Sequence, residues 1–213
     1  MSTPKLLPPA REEVLKLQPF SGLALAQIFL PTNADELAQA RQELLESRFL
    51  GFDTEVRPSF QAGQPLRGPD VVQFSHGARA FVFQMHQPGS EALVREVLVA
   101  PDVVKVGFDL RSDQKQLMLR LGVRAQPLLD LDFVFRAQGY PHAIGVKSAI
   151  ALLFQRRFMK SRHVTTSNWS RPTLEPRQIL YAANDAYAAW AVLEALGLRE
   201  RDLPIWANGM NAA

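Results

Sequence analysis

The 213-residue chain has no cysteine. Disulfides and thiolate metal sites are therefore excluded, and any metal must be held by oxygen or histidine. Oxygen donors favour hard ions such as magnesium or manganese. No apolar run approaches the roughly 18 residues of a membrane span. The N-terminal string MSTPKLLPPAREEVLK lacks the apolar core of a secretion signal, so a cytoplasmic location with no membrane partner is expected. Acid is scarce in one stretch. Between His142 and Arg177, Glu175 is the one acid against seven bases: Lys147, Arg156, Arg157, Lys160, Arg162, Arg171 and Arg177. The whole chain carries only +3, so the remainder is acidic. Hydrophobic content of 47% and charged content of 21% suit a globular domain with a sizeable core.

Periodicity and turn residues predict the order strand, helix, three strands, helix, strand, helices. That is an α/β arrangement around a mixed five-stranded sheet flanked by helices. Strands are expected at Leu23–Leu30, Phe49–Glu55, Val71–Ser75, Ala80–Met85 and Val103–Phe108. Helices are expected from a Thr32 or Asn33 cap to Ser47, from a Ser90 cap to Val99, and from Ser112 to Leu121, with the remainder mostly helical. The Pro- and Gly-rich stretch Arg57–Asp70 reads as a loop. Residues 1–20 read as an arm, 21–207 as one folded domain and 208–213 as a tail.

Four acids and a tyrosine stand where these elements would aim them at one point. Asp53 and Glu55, in FLGFDTE, are two apart on a strand and share a face, with Cα atoms about 6.6 Å apart. Tyr181 and Asp185, in LYAANDAYAAW, are four apart on a helix and share a face about 6 Å apart along the axis. Asp113, in KVGFDLRSDQKQL, follows a strand near a helix start, where Asp109 competes for the same role and Ser112 is an alternative cap. Singly, each has a bland explanation: a strand end leading into a loop, an acid at a positive helix end, a Tyr–Asp surface pair. Converging carboxylates repel unless cations lie between them. The set therefore points to a divalent-metal site suited to phosphoryl chemistry. The basic stretch beside it suits a polyanionic substrate. Asp130 and Asp132, in LLDLDFVF, form a second Asp-x-Asp string, with Asp130 expected to cap a helix. His142 and His163 are expected on the surface or in loops.

Asp-x-Glu on a strand, an Asp on a helix and Tyr-x-x-x-Asp on a later helix resemble the three exonuclease motifs of the DEDD superfamily. That superfamily includes ribonuclease D, proofreading exonucleases and the Werner-syndrome exonuclease domain. KVGFDLRSDQKQL is similar to the second motif of Werner-type domains, which selects Asp113 over Asp109. SNWSRPTLEPRQILYAANDAYA is similar to the block leading into the third. The likeness covers roughly residues 23–196. The histidine branch of the superfamily carries its base five residues before the last Asp, where this chain has Leu180. The tyrosine branch carries it four before, at Tyr181. Relatives often have a Lys-Ser pair where Arg162-His163 stands, and a glycine where Gln155 stands.

The resemblance implies a ribonuclease H-like fold and a 3′–5′ exonuclease that releases nucleoside 5′-monophosphates with two Mg2+ or Mn2+ ions. Asp53 would bridge both ions, Glu55 and Asp185 would complete the first site, and Asp113 would hold the second. Tyr181, with Glu55, would orient the attacking water. Thr54 would offer its backbone to the terminal nucleotide, while Val56 and Phe108 would pack on its base. Lys147, Arg156, Arg157, Lys160 and Arg162 would touch phosphates, and Trp169 is expected to be structural. The substrate would be single-stranded or 3′-ended nucleic acid. The chain ends soon after the exonuclease-like region, which tilts the expectation slightly toward DNA. The competing reading is a non-catalytic nucleic-acid-binding module on the same fold.

Overall fold

The computed structural model describes residues 6–58 and 68–206. The expected tail, 208–213, and most of the expected Arg57–Asp70 loop lie outside these. Six strands form one mixed sheet: β1 (Ile28–Phe29), β2 (Phe49–Glu55), β3 (Val71–His76), β4 (Arg79–Gln84), β5 (Val104–Gly107) and β6 (Leu128–Asp130), in the order β1-β4-β3-β2-β5-β6. β2, β3 and β4 form an antiparallel meander, while β5 runs parallel to β2 and β6 parallel to β5.

Helices flank the sheet: α1 (Arg11–Lys16), α2 (Ala34–Leu45), α3 (Ser90–Val99), α4 (Arg111–Leu121), α5 (Leu131–Ala137), α6 (Val146–Phe154), α7 (Arg162–Thr165) and α8 (Pro176–Leu196). Alternation along β2 divides the two faces. Leu50 and Phe52 join Phe74, Phe83 and residues of α2, α3 and α4 in one core. Gly51, Asp53 and Glu55 point the other way, toward α8. On that face Val71 and Val82 pack with Trp169, Ala182 and Ala183.

Several elements differ from the sequence-based expectation. The strand at Leu23–Leu30 shrinks to two residues, because Leu25–Gln27 turns as a 3-10 helix and Leu23 is held by α8 instead. The sixth strand, β6, which ends on the expected helix cap Asp130, was not among the five expected. Its three buried residues are too few to show a period. Ser90 lies inside α3 rather than capping it, and the cap position is taken by Gly89 at φ 83. Asn33 does cap α2, accepting from the Glu36 amide at 3.0 Å. The expected arm contains α1, and its end pairs with the segment after α6 through Phe20 N–H to Arg157 O (2.9 Å) and Arg157 N–H to Gln18 O (2.8 Å).

The missing glycine after α6 has a structural cost. Gln155 closes the helix at φ 52, ψ 43, in the left-handed region. A side chain there costs about 1–2 kcal/mol, part of which glycine would return through its freer unfolded chain. Gln155→Gly is expected to stabilise by somewhat less than about 1 kcal/mol, raising the melting temperature by about 2–3 °C. A thermal melt that falls instead would show that the Gln155 side chain contributes more than its backbone costs.

Candidate active site

β2 and α8 build most of the site. β2 delivers Asp53 and Glu55 on one face, and α8 lies across that face. The contact is close because small residues meet there: a Cβ on Gly51 would stand 2.0 Å from the Ala186 carbonyl oxygen and 2.9 Å from Trp190 Cβ. Ala182, Ala183 and Ala186 are fully buried along the helix. With α8 seated this deeply, ligand atoms of Asp53, Glu55 and Asp185 all fall within 4.8 Å of one another. The cluster sits at the carboxyl ends of the parallel strands β2 and β5, the usual place for a site in such sheets.

Asp113 approaches from the opposite side. It lies in the first turn of α4, buried, and accepts a hydrogen bond from the Thr54 hydroxyl. The Thr54 amide is also engaged, donating to Asp53 Oδ1 at 2.9 Å. Thr54 thus links the two carboxylates through the alternating sides of one strand.

Tyr181 lies one helical turn before Asp185. Its hydroxyl is 2.8 Å from Thr165 Oγ1, and its ring packs 5.9 Å from Trp169. Trp169 is fully buried and donates to Thr165 O at 3.2 Å. The SNWS segment therefore supports the short α7 turn that fixes the tyrosine. Burial and the neighbouring Asp185 raise the Tyr181 pKa, which keeps its hydroxyl protonated.

The main cation here was read in sequence only as one of several phosphate contacts. Lys160 Nζ lies 2.8 Å from Asp185 Oδ2 and 5.7 Å from the centre of the Tyr181 ring. Burial alone would lower its pKa, but Asp185 and Asp53 outweigh that and keep it charged. The sequence carried a signal for it. A Lys-Ser pair is present after all, as Lys160-Ser161, two residues before Arg162-His163. Thr165 had no such signal, since its role depends on a contact with Tyr181 that spacing does not reveal.

The other expected nucleic-acid contacts are dispersed. Lys147, Arg156 and Arg162 are exposed. Arg157 turns to the N-terminal segment, donating to Leu15 O at 2.9 Å. Val56 is half-buried just beyond β2, and Phe108 is half-buried just beyond β5, against the core formed by α5, α6 and α8. Asp130 caps α5 by accepting from the Asp132 amide at 3.1 Å. His142 and His163 are exposed.

One lysine cannot neutralise four carboxylates. Burial, then the Asp53 and Asp185 charges, push Glu55 up to about 10. Burial and Asp53 raise Asp113 and Asp185 to about 7 each, and burial raises Asp53 against the pull of Lys160. Buried carboxylates held this far above their usual range, with oxygen atoms converging, suit one or more hard divalent cations. Asp53, Glu55 and Asp185 could hold one, with Asp113 on the far side of Asp53.

The sign of the pH dependence follows. Acids whose pKa is raised on folding bind more protons in the native state than in the unfolded one. The metal-free protein should therefore lose stability as pH rises from about 4, through about 7 where Asp113 and Asp185 ionise, to about 10 where Glu55 does. Divalent ions compete with those protons. Mn2+ at about 100 times its Kd should add about 2.7 kcal/mol, or about 5–10 °C in melting temperature, at pH 8. The shift at pH 5 should be much smaller. An equal shift at both values would contradict the protonation assigned to the cluster.

Known proteins share this architecture. The 3′-5′ exonuclease family model matches residues 28–199. A 3′-5′ exonuclease of Arabidopsis thaliana is 27% identical over 84% of this chain and 64% of its own length. Exonuclease 3′-5′ domain-containing protein 2 of Drosophila melanogaster is 31% identical over 78% of this chain and 28% of its own. The chain thus spans less than two thirds of these relatives. The structure of Trypanosoma brucei RNase D in complex with RNA U12 superposes with a TM-score of 0.69 at 20% identity, covering 91% of this chain and 66% of that one. Fold, acidic motifs and family match agree: the chain belongs to the 3′-5′ exonuclease family, among the ribonuclease D and Werner-type members of the DEDD superfamily.

Proposed function

We propose that the chain is a metal-dependent 3′–5′ exonuclease that hydrolyses the terminal phosphodiester of a nucleic acid and releases nucleoside 5′-monophosphates. The observation that carries this is the convergence of Asp53, Glu55 and Asp185 within 4.8 Å, one helical turn from a Tyr181 hydroxyl fixed by Thr165. Asp53, Glu55, Asp185 and Asp113 are the residues that would hold two ions, Mg2+ or Mn2+. Bound there, they supply Lewis acidity at the phosphate and lower the pKa of the attacking water.

The protein's own groups do the rest. Tyr181 cannot act as a base while protonated. Its hydroxyl, fixed by Thr165, orients the water by hydrogen bonding, and Glu55 accepts from that water on the other side. Water attacks phosphorus in line with the P–O3′ bond and gives up one proton to Glu55; the P–O3′ bond breaks, the nucleoside 5′-monophosphate departs, and O3′ takes a proton from solvent to become the new 3′-hydroxyl of the shortened strand. Lys160 balances the carboxylate charge and lies where a phosphate oxygen would pass. Exposed Lys147, Arg156 and Arg162 guide the strand.

The substrate class rests on this site and on family membership. RNA is the nucleic acid seen with the trypanosomal neighbour. The tilt toward DNA finds no support in the site, where no residue can be assigned to the 2′-hydroxyl. The whole protein's substrates rest on the same inference, and the cytoplasm is proposed as its location.

End-labelled single strands and recessed duplexes, as both DNA and RNA, test the proposal when incubated with Mg2+ or Mn2+. Stepwise 3′ shortening is expected, lost on adding a chelator. Internal cuts would overturn the exonuclease assignment, and binding without cutting would favour the non-catalytic module. Salt adds a second test. Three phosphate contacts on a single strand give a log–log slope of about −2, or about a 20-fold fall in kcat/KM between 50 and 200 mM salt. Arg162→Ala should flatten that slope by about 0.7, and an unchanged slope would remove Arg162 from the strand path.

A further inference from the structure

α4 carries Asp113 but starts without a cap of its own. The residue in its cap position is Leu110, whose apolar side chain can accept nothing. The preceding residue, Asp109, sits at φ 53, a left-handed conformation unusual for a residue other than glycine. Something must hold this turn, and the holder comes from another strand. Asp130, at the end of β6 and 3% exposed, accepts from the Leu110 amide through Oδ2 at 3.0 Å and from the Asp109 amide through Oδ1 at 3.3 Å. The same Oδ1 accepts from the Asp132 amide at 3.1 Å at the start of α5. One carboxylate thus serves two helix starts, each of which favours negative charge.

Neighbouring geometry makes the turn a rigid lever. β6 pairs with β5 so that Asp130 lies opposite Gly107. Leu110 folds back over Gly107 so closely that a Cβ there would meet Leu110 Cδ2 at 2.4 Å and Phe52 O at 2.8 Å. Three residues beyond Leu110, the Asp113 carboxylate meets the Thr54 hydroxyl. The path from Asp130 to Asp113 is therefore two backbone amides and one helical turn.

We infer that Asp130 is a positioning residue for Asp113: by fixing where α4 begins, it sets the Asp113 carboxylate against the Asp53 side of the site. This rests on the proposed use of Asp113 as a metal ligand. Asp130 itself ends β6, buried, with both oxygens turned to backbone amides rather than to the acidic cluster.

The test counts Mn2+ bound by the full chain, by electron paramagnetic resonance and calorimetry, in the parent, Asp130→Asn and Asp130→Ala. With a nucleoside 5′-monophosphate present throughout, two ions are expected in the parent. In Asp130→Ala the ion that depends on Asp113 should bind about 10–100-fold more weakly, and the ion at Asp53, Glu55 and Asp185 within about 3-fold of the parent. Asp130→Asn keeps one acceptor oxygen and should lie between the two, and it carries the test if the alanine variant does not fold. Amide exchange should quicken at Asp109 and Leu110 but not along β2. Two ions bound by both variants as tightly as by the parent would overturn the role of Asp130. Equal weakening of both ions would also overturn it, by showing a general loss of structure. One ion in the parent would instead overturn the two-ion reading.

Discussion

Asp53→Ala should lower 3′-end hydrolysis by at least about 10²-fold, by analogy with removing one preorganised charge-stabilising group from an active site. Asp53 has the central place among the acids. It contributes to the upward shift of Glu55, Asp113 and Asp185, and it shares Thr54 with Asp113. Removing it should also leave the metal-free protein at least as stable as the parent at pH 8, because one of four crowded like charges is gone. The Mn2+-induced rise in melting temperature should disappear. Single-turnover assays beside thermal melts separate these effects. Activity within a few-fold of the parent, or a collapse of metal-free stability, would each contradict the role given to Asp53.

Gly51→Ala should be nearly as damaging although it removes no chemistry. The new methyl would meet the Ala186 carbonyl at 2.0 Å, and a helix backbone cannot give way as a flexible side chain can. α8 must lift from β2, carrying Asp185 away from Asp53 and Glu55. Overpacking of this kind costs about 1–3 kcal/mol, or roughly 2–12 °C in melting temperature. Displacing a ligand by about 1 Å can cost about 10²-fold in turnover. Gly145→Ala, where nothing lies within 4 Å of an added Cβ, is the control and should do little. Turnover unchanged in Gly51→Ala would mean that the close seating of α8 does not set the site.

How far the chain could be read before its structure depended on how local each signal was. Asp53 and Glu55 were legible because a strand alternates faces, and Phe49–Glu55 was bounded correctly. Tyr181 and Asp185 were legible because four residues bring a helix back to the same side. Asp113 was chosen over Asp109 by its flanking residues, and the fold gives a reason: Asp109 is spent on a left-handed turn and exposed, while Asp113 is buried.

Lys160 carries a family-like signal in the Lys160-Ser161 pair, but its contact with Asp185, twenty-five residues on, is not local and spacing does not reveal it. β6 was missed because three residues carry no period, and with it the dual role of Asp130, whose partners Asp109 and Leu110 lie some twenty residues back. Arg157 counted as a phosphate contact by charge alone, whereas its backbone and guanidinium hold the N-terminal segment.

The central claim is that the Asp53, Glu55 and Asp185 cluster is a divalent-metal centre serving a 3′ end. The most direct test is a crystal soaked in manganese and measured for anomalous scattering, with and without a nucleoside 5′-monophosphate. The account predicts one Mn2+ among the oxygens of Asp53, Glu55 and Asp185, and a second between Asp53 and Asp113 once the nucleotide is bound. Manganese absent from both positions, with Lys160 still paired to Asp185, would contradict it.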